Sequence, residues 1–175
     1  NAYETKTGGP GTMGKYDNLD PRFAATNFYP GSTFLGKANC PASEVCQFTG
    51  FAHKKLTIYD EQKRDSDDSN GETNYMFIRY ADVLLMYAEA INEYAGAPDD
   101  QAKEAIRKIR RRAGIKTDES QLSDYRSFRD LVRNERGREL AFEGLRKWDL
   151  IRWGIFVEKM HNAGTNAPTE NKYHN

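Results

Sequence analysis

Residues 77–94 read FIRYADVLLMYAEAINEY. Phe77, Ala81, Leu84, Leu85, Ala88 and Ile91 recur at spacings of three and four, the period of one helix face. Tyr80, Val83, Tyr87 and Tyr94 are also apolar and fall beside or opposite that stripe. A helix apolar over so much of its circumference is packed by neighbours on more than one side. Ala81, Ala88 and Ala90 are small enough to let a second helix approach closely. That helix follows at once. Pro98 marks a turn, and Asp99-Asp100 place acidic residues where the helix dipole favours them. Ala102, Ala105, Ile106, Ile109 and Ala113 form its stripe. Basic residues crowd its last turn, and Gly114 stands where a left-handed cap would end it. Two helices joined by so short a turn predict a helical hairpin, with an alanine pattern like that of a tetratricopeptide unit.

A third helix is expected from Ser123 or Asp124, both good N-caps, to about Phe142. Its face runs Phe128, Val132, Glu135, Glu139, Phe142, Arg146. Isolated carboxylates on an apolar stripe are too costly to bury, so they need cationic partners. Arg79, Arg136, Arg138 and Arg146 are the expected suppliers. A last short helix, Leu145 to Trp153, adds Trp148, Ile151 and the spaced pair Asp149 and Arg152. The expectation is a structural ion network of Arg79, Glu135, Arg136, Glu139, Glu143, Arg146, Asp149 and Arg152. A catalytic reading fits less well. Glu135, Glu139 and Glu143 step by four, which sets neighbours ~5–6 Å apart at Cβ, close to the ~5–5.5 Å of a retaining glycosidase pair. Such a pair flanks the scissile bond from opposite sides, whereas these carboxylates stand along one wall.

Three segments carry a resemblance. IRYADVLLMYAEAINEY (Ile78–Tyr94), AIRKIRRRAGI (Ala105–Ile115) and NERGRELAFEGLRKWDLIRWG (Asn134–Gly154) look like the C-terminal part of SusD/RagB proteins. Upstream, NLDPRFAATNFYPG (Asn18–Gly31) resembles the D-P-R segment of the same family. The likeness covers roughly residues 18 to 157. It implies a non-catalytic subunit that binds oligosaccharide and hands it to a SusC-like TonB-dependent transporter. It also implies a lipid anchor on the outer-membrane surface in the full-length protein. The family's members are about three times this long, so the chain is expected to be a piece of a larger protein. A helical-repeat interaction scaffold without a sugar site in this piece is the alternative.

The predicted fold is mainly α: the tetratricopeptide-like hairpin plus further helices, preceded by an irregular, loop-rich region with short strands. The expected division is a loop-rich segment 1–74, a helical core 75–157 and a polar tail 158–175, either one domain or part of a larger one. Asp20-Pro21 and Tyr29-Pro30-Gly31 are turn signals. Short strands are expected around Phe23 and Phe28 and over Phe51–Tyr59. His161 to Asn175 shows no apolar period.

Charge and motif exclude several classes. The 26 Lys and Arg balance the 26 Asp and Glu, so a polyanion such as nucleic acid is not an expected partner. Gly9 to Lys15 fits the first seven positions of a phosphate-binding loop, but Tyr16 replaces the Ser or Thr that would hold Mg²⁺. A calcium loop starting at Asp65 fails at its sixth position, Asn70, and its twelfth, Met76. No cofactor is expected. Cys40 and Cys46 are the only cysteines. The resemblance implies an oxidising compartment and hence a disulfide between them, with free thiols as the alternative; a metal would need two more ligands. Sugars are held by aromatic faces, and the loop aromatics Tyr16, Tyr29 and Phe34 are the expected ligand contacts, with Tyr3 a further candidate. Both tryptophans are expected to pack within the helical core.

Overall fold

The structure is a computed structural model that describes residues 3–7, 16–33, 51–56 and 76–165. Its elements are α1 (Pro21–Thr26), β1 (Asn27–Phe28), β2 (Ala52–His53), α2 (Tyr80–Ala95), α3 (Asp100–Arg112), a 3-10 turn (Glu119–Leu122), α4 (Tyr125–Glu139), α5 (Arg146–Arg152) and α6 (Phe156–Thr165). The protein is mainly helical, as the periodicity predicts. The chain divides into two compact units, Asn1–Phe23 with Met76–Ala141, and Ala24–Tyr75 with Phe142–Asn175.

The first unit is built on the hairpin of α2 and α3, with α4 packed against α2. Gly96, at φ 71°, ends α2 in the left-handed region that a side chain would strain. The Asp99 side chain accepts from the Ala102 amide at 2.7 Å and starts α3. Gly114, at φ 72°, ends α3 and lets the Ile115 amide reach back to the Arg110 carbonyl at 2.9 Å. Asp124 caps α4 by accepting from the amides of Arg126 and Ser127. Leu85, Ala88, Ala102, Ile106, Ile109, Phe128 and Val132 form the apolar centre, each nearly or fully buried. The N-terminal strand-like segment is stitched to the same unit. Thr5 bridges Leu19 antiparallel, and the Lys116 amide donates to the Lys6 carbonyl.

The register of α2 differs from the expected stripe. The helix begins at Tyr80, and Phe77 is 86% exposed. The buried line is Asp82, Leu85, Ala88, Glu89 and Asn92. Leu85 and Ala88 belong to both readings, so apolar spacing alone left the rotation of the helix undetermined. α4 likewise stops at Glu139. Phe142 adopts φ 62° and is half exposed, so the expected stripe breaks before Phe142 and Arg146.

In the second unit, β1 and β2 pair antiparallel with Asn27 opposite His53 and Phe28 opposite Ala52. Phe28 is buried and Lys54 reaches over its ring at 5.6 Å. The strand expected over Phe51–Tyr59 is shorter: Leu56 takes φ 63°, outside any extended conformation. Residues 57–59 lie outside the described residues. Phe23, expected near a strand, lies in α1, whose start at Pro21 suits the fixed φ of proline. α5 and α6 pack on each other. α6 extends to Thr165, past His161, where the sequence carries no apolar period. Trp148 is 64% exposed and Lys147 lies over its ring. That corrects the expectation that both tryptophans pack inside. On this short helix Asp149 and Leu150 take the buried positions.

Candidate functional site

Among the described residues, the most densely connected polar cluster is the charge network around α4 in the first unit. α4 turns Glu135 and Glu139 to the same side because they are one helical step of four apart. Glu135 is fully buried and accepts from Arg22 Nη1 at 2.6 Å, Arg110 Nη1 at 3.0 Å and Arg138 Nη1 at 3.3 Å. Glu139 accepts from Arg22 at 2.9 Å, Arg79 at 2.6 Å and Arg112 at 2.7 Å. Arg22 therefore bridges both carboxylates. Its other edge faces Asp20, which accepts from Nε and from Nη2, the latter at 2.6 Å. The Asp-Pro-Arg turn makes this possible, since the Arg22 amide also donates to the Asp20 side chain.

A second tier closes the network. Arg110 is fully buried and donates to Glu4 at 2.8 Å and to the Lys116 carbonyl at 2.7 Å. Arg138 also meets Glu4 at 2.8 Å. Arg136, on the next face of α4, donates to the buried Asp82 of α2 at 2.9 Å.

Titration follows this geometry. Burial alone would push the Glu139 carboxyl up, but hydrogen bonds from Arg79 and Arg22 and the charges of Arg79 and Arg112 outweigh it. The group is held below its ordinary value. For Arg22, burial alone would lower the pKa. The hydrogen bond to Asp20 and the charges of Glu135 and Asp20 reverse that and raise it. Both groups are thus fixed in their charged forms near neutral pH. Carboxylates held by several guanidinium donors at this depth lock segments together. A general acid or base needs a proton to exchange and a substrate within reach.

Of the expected network, Glu135, Glu139, Arg79, Arg136 and Arg138 take part in this cluster. The expectation missed Arg22, Arg110 and Arg112, and their acidic counterparts Asp20 and Glu4. Arg22 sits in the Asp-Pro-Arg segment, read there only as a turn and a resemblance. Arg110 and Arg112 sit in the basic last turn of α3, where the dipole alone explains cations.

In the second unit, Glu143 accepts from Lys55 at 2.6 Å, and Asp149 meets Arg152 at 2.9 Å. Arg146 and Arg152 both lie over the Trp153 ring, at 5.5 and 4.9 Å. Of the expected ligand aromatics, Tyr16 stacks on Phe23 at 5.5 Å with ring planes 9° apart, and Tyr3 meets the same ring edge-on. Tyr29 is half-buried in the second unit, its amide donating to Ser32 Oγ. Phe34, Cys40, Cys46, the Gly9–Lys15 motif and the Asp65–Asp68 run lie outside the described residues. Among the described residues no group of His, Cys, Asp and Glu has the arrangement of a metal site. None of their helices is long and apolar enough to cross a membrane.

Comparison with known proteins completes the picture. The model of the SusD family matches residues 1–175. A SusD-like protein of Formosa agariphila is 31% identical over 153 residues, which are 83% of this chain and 30% of the relative. A second from that organism is 41% identical over 99 residues, 54% of this chain and 18% of the relative. Among solved structures, a SusD-like carbohydrate binding protein from Bacteroides fragilis is 29% identical with a TM-score of 0.72. It covers 90% of this chain with 34% of its own. A SusD homolog from Bacteroides thetaiotaomicron is 31% identical with a TM-score of 0.62, covering 83% of this chain with 32% of its own. The chain thus spans roughly a third of the length of these longer-matching relatives. With the family model matched from its first residue to its last and its helices shared with solved members, this chain belongs to the SusD family.

Proposed function

We propose that this chain is part of a nutrient-binding protein that takes up oligosaccharide at the cell surface without making or breaking a bond. The observation that carries the reading is its family membership, joined to a structural relative described as a carbohydrate binding protein. The whole protein would be lipid-anchored at the outer membrane and would pass its ligand to a SusC-like TonB-dependent transporter. Tyr16, Tyr29 and Phe34 are the proposed sugar-facing aromatics. Tyr16 already stacks one ring face on Phe23. Support for a non-catalytic role comes from Glu135 and Glu139, the carboxylates best spaced for sugar chemistry. Both are buried and each is held by three guanidinium groups.

The test is affinity electrophoresis of the protein through gels carrying soluble polysaccharides, paired with an overnight reducing-sugar assay on the same panel. Retardation by at least one polysaccharide with no release of reducing ends is the expected result. Release of reducing ends, or no retardation by any member of a broad panel, would overturn the reading.

A further inference from the structure

Residues 3–7 lie across the charge network of the first unit as a short extended segment. The Asp20 amide donates to the Glu4 carbonyl at 2.8 Å, and the Lys6 amide donates to the Asn18 carbonyl at 3.0 Å. The Lys116 amide donates to the Lys6 carbonyl at 3.2 Å, and Thr5 bridges Leu19 antiparallel. The segment thus pairs with the turn before α1 and with the loop after α3. Lys6 and Thr7 are exposed, and Tyr3, Glu4 and Thr5 are only half-buried. A segment with so little buried surface opens more readily than the core helices beneath it.

The Glu4 side chain enters the network. One carboxylate oxygen meets Arg110 Nη2 at 2.8 Å and the other meets Arg138 Nη2 at 2.8 Å. The Nη1 atoms of the same two guanidiniums both donate to Glu135 Oε2, at 3.0 and 3.3 Å. Arg110 Nη2 is fixed a second time by the Lys116 carbonyl at 2.7 Å. Glu135, on α4, therefore holds the two arginines with one nitrogen of each turned to the same place. That orientation is set without Glu4. Once Glu4 lifts away, two buried cations share the Glu135 carboxylate, and the vacated space suits a planar anion that accepts from both.

We propose that Tyr3–Thr7 is a latch, seated by the Glu4 carboxylate in a preformed cradle of Arg110 and Arg138. The latch lifts as one unit while α3 and α4 stay folded, and it leaves the cradle open to a free carboxylate. The proposal is independent of glycan binding. Tyr3 nevertheless meets Phe23 edge-on, and Phe23 is the ring on which Tyr16 stacks, so lifting the latch uncovers one side of that ring.

Two measurements on the full chain test it. Amide hydrogen exchange read by NMR needs no variant. The Lys6, Asp20 and Lys116 amides should exchange together, at least about tenfold faster than those of buried Ile106 and Val132 after correction for intrinsic rates. Exchange of the three only as slowly as Ile106 and Val132 would mean that the segment opens with the whole unit, and overturns the latch. The second measurement is urea denaturation of Glu4→Ala with formate as the probe. The substitution should lower the midpoint, and sodium formate should restore it saturably where sodium chloride at equal ionic strength does not. Wild type, with its cradle filled, should respond to formate no more than to chloride. A variant that formate does not rescue, or a wild type that gains as much as the variant, overturns the cradle. A variant unfolded in both salts would show that α3 and α4 depend on Glu4, and overturns the proposal as well.

Discussion

Arg22 and Glu135 are 113 positions apart in the chain and 2.6 Å apart in space. The guanidinium that joins them also holds Asp20 and Glu139, so one side chain ties the Asp-Pro-Arg turn to α4. Replacing it with methionine keeps the bulk and removes the charge. Three buried carboxylates, Asp20, Glu135 and Glu139, then lose donors, and breaking a buried pair costs ~3–5 kcal/mol. Arg22→Met should lower the urea midpoint of the first unit's transition sharply while leaving the slope unchanged. A midpoint within error of the wild type would show that Arg110 and Arg79 suffice without Arg22.

Acid should weaken the same network in a definite direction. The folded-state pKa of Glu139 is depressed, because arginine donors and charges outweigh burial. A depressed carboxylate stabilises the fold above its unfolded pKa, ~4.3 for glutamate, and that contribution is lost as pH falls through the folded value. Between the two values the unfolded chain binds more protons, so stability rises with pH there. Denaturation midpoints measured from pH 7 to pH 3 should therefore fall more steeply for the wild type than for Glu139→Gln. Parallel curves would remove Glu139 from the acid response.

What the sequence made legible follows from what periodicity can carry. The hairpin of α2 and α3, the helices α4 and α5 and the burial of Glu135 and Glu139 sit on local spacings of three and four, whereas α1 and the end of α6 do not. The rotation of α2 does not, because Leu84 and Leu85 are adjacent leucines and apolar residues fall on both arcs of the helix. Its buried polar side chains were invisible for the same reason: Asp82 and Asn92 look like solvated residues until Arg136 and the Tyr125 carbonyl are brought to them. The partners of the buried glutamates come from segments distant in sequence. Arg22 lies in a turn and Arg110 at a helix end, where each residue has a sufficient local explanation. Trp148 misled in the opposite sense, since its size argues for burial while its helix buries Asp149 and Leu150.

Cys40 and Cys46 give a prediction that rests on the family alone. The proposed display of the whole protein at the cell surface implies folding in an oxidising compartment, where disulfides form and persist. Protein made in such a compartment should resist alkylation under denaturing, non-reducing conditions and take up two alkyl groups after reduction. Intact-mass measurement distinguishes the states, and two alkyl groups before reduction would refute the disulfide.

The two faces of α2 make opposite predictions for the same chemical change. Ala88 is fully buried where α2 meets its neighbours, on the same line as Leu85. Ala88→Glu forces a carboxylate into that contact with no cation built to receive it. The cost should reach several kcal/mol, a large part of the ~5–15 kcal/mol that holds a domain together. Val83 lies on the outward arc and is 44% exposed. Val83→Glu in residues 1–175 alone should change stability by no more than ~0.5 kcal/mol, as surface substitutions do. The two variants carry the same added charge on the same helix, so the net-charge effect cancels between them, and the remaining difference in helix propensity is below ~1 kcal/mol. Urea denaturation of both, side by side, reads the rotation of α2 directly. A tolerant Ala88→Glu together with a crippling Val83→Glu would mean the helix is turned the other way, with Phe77, Tyr80 and Val83 inward and Asp82 and Asn92 in solvent.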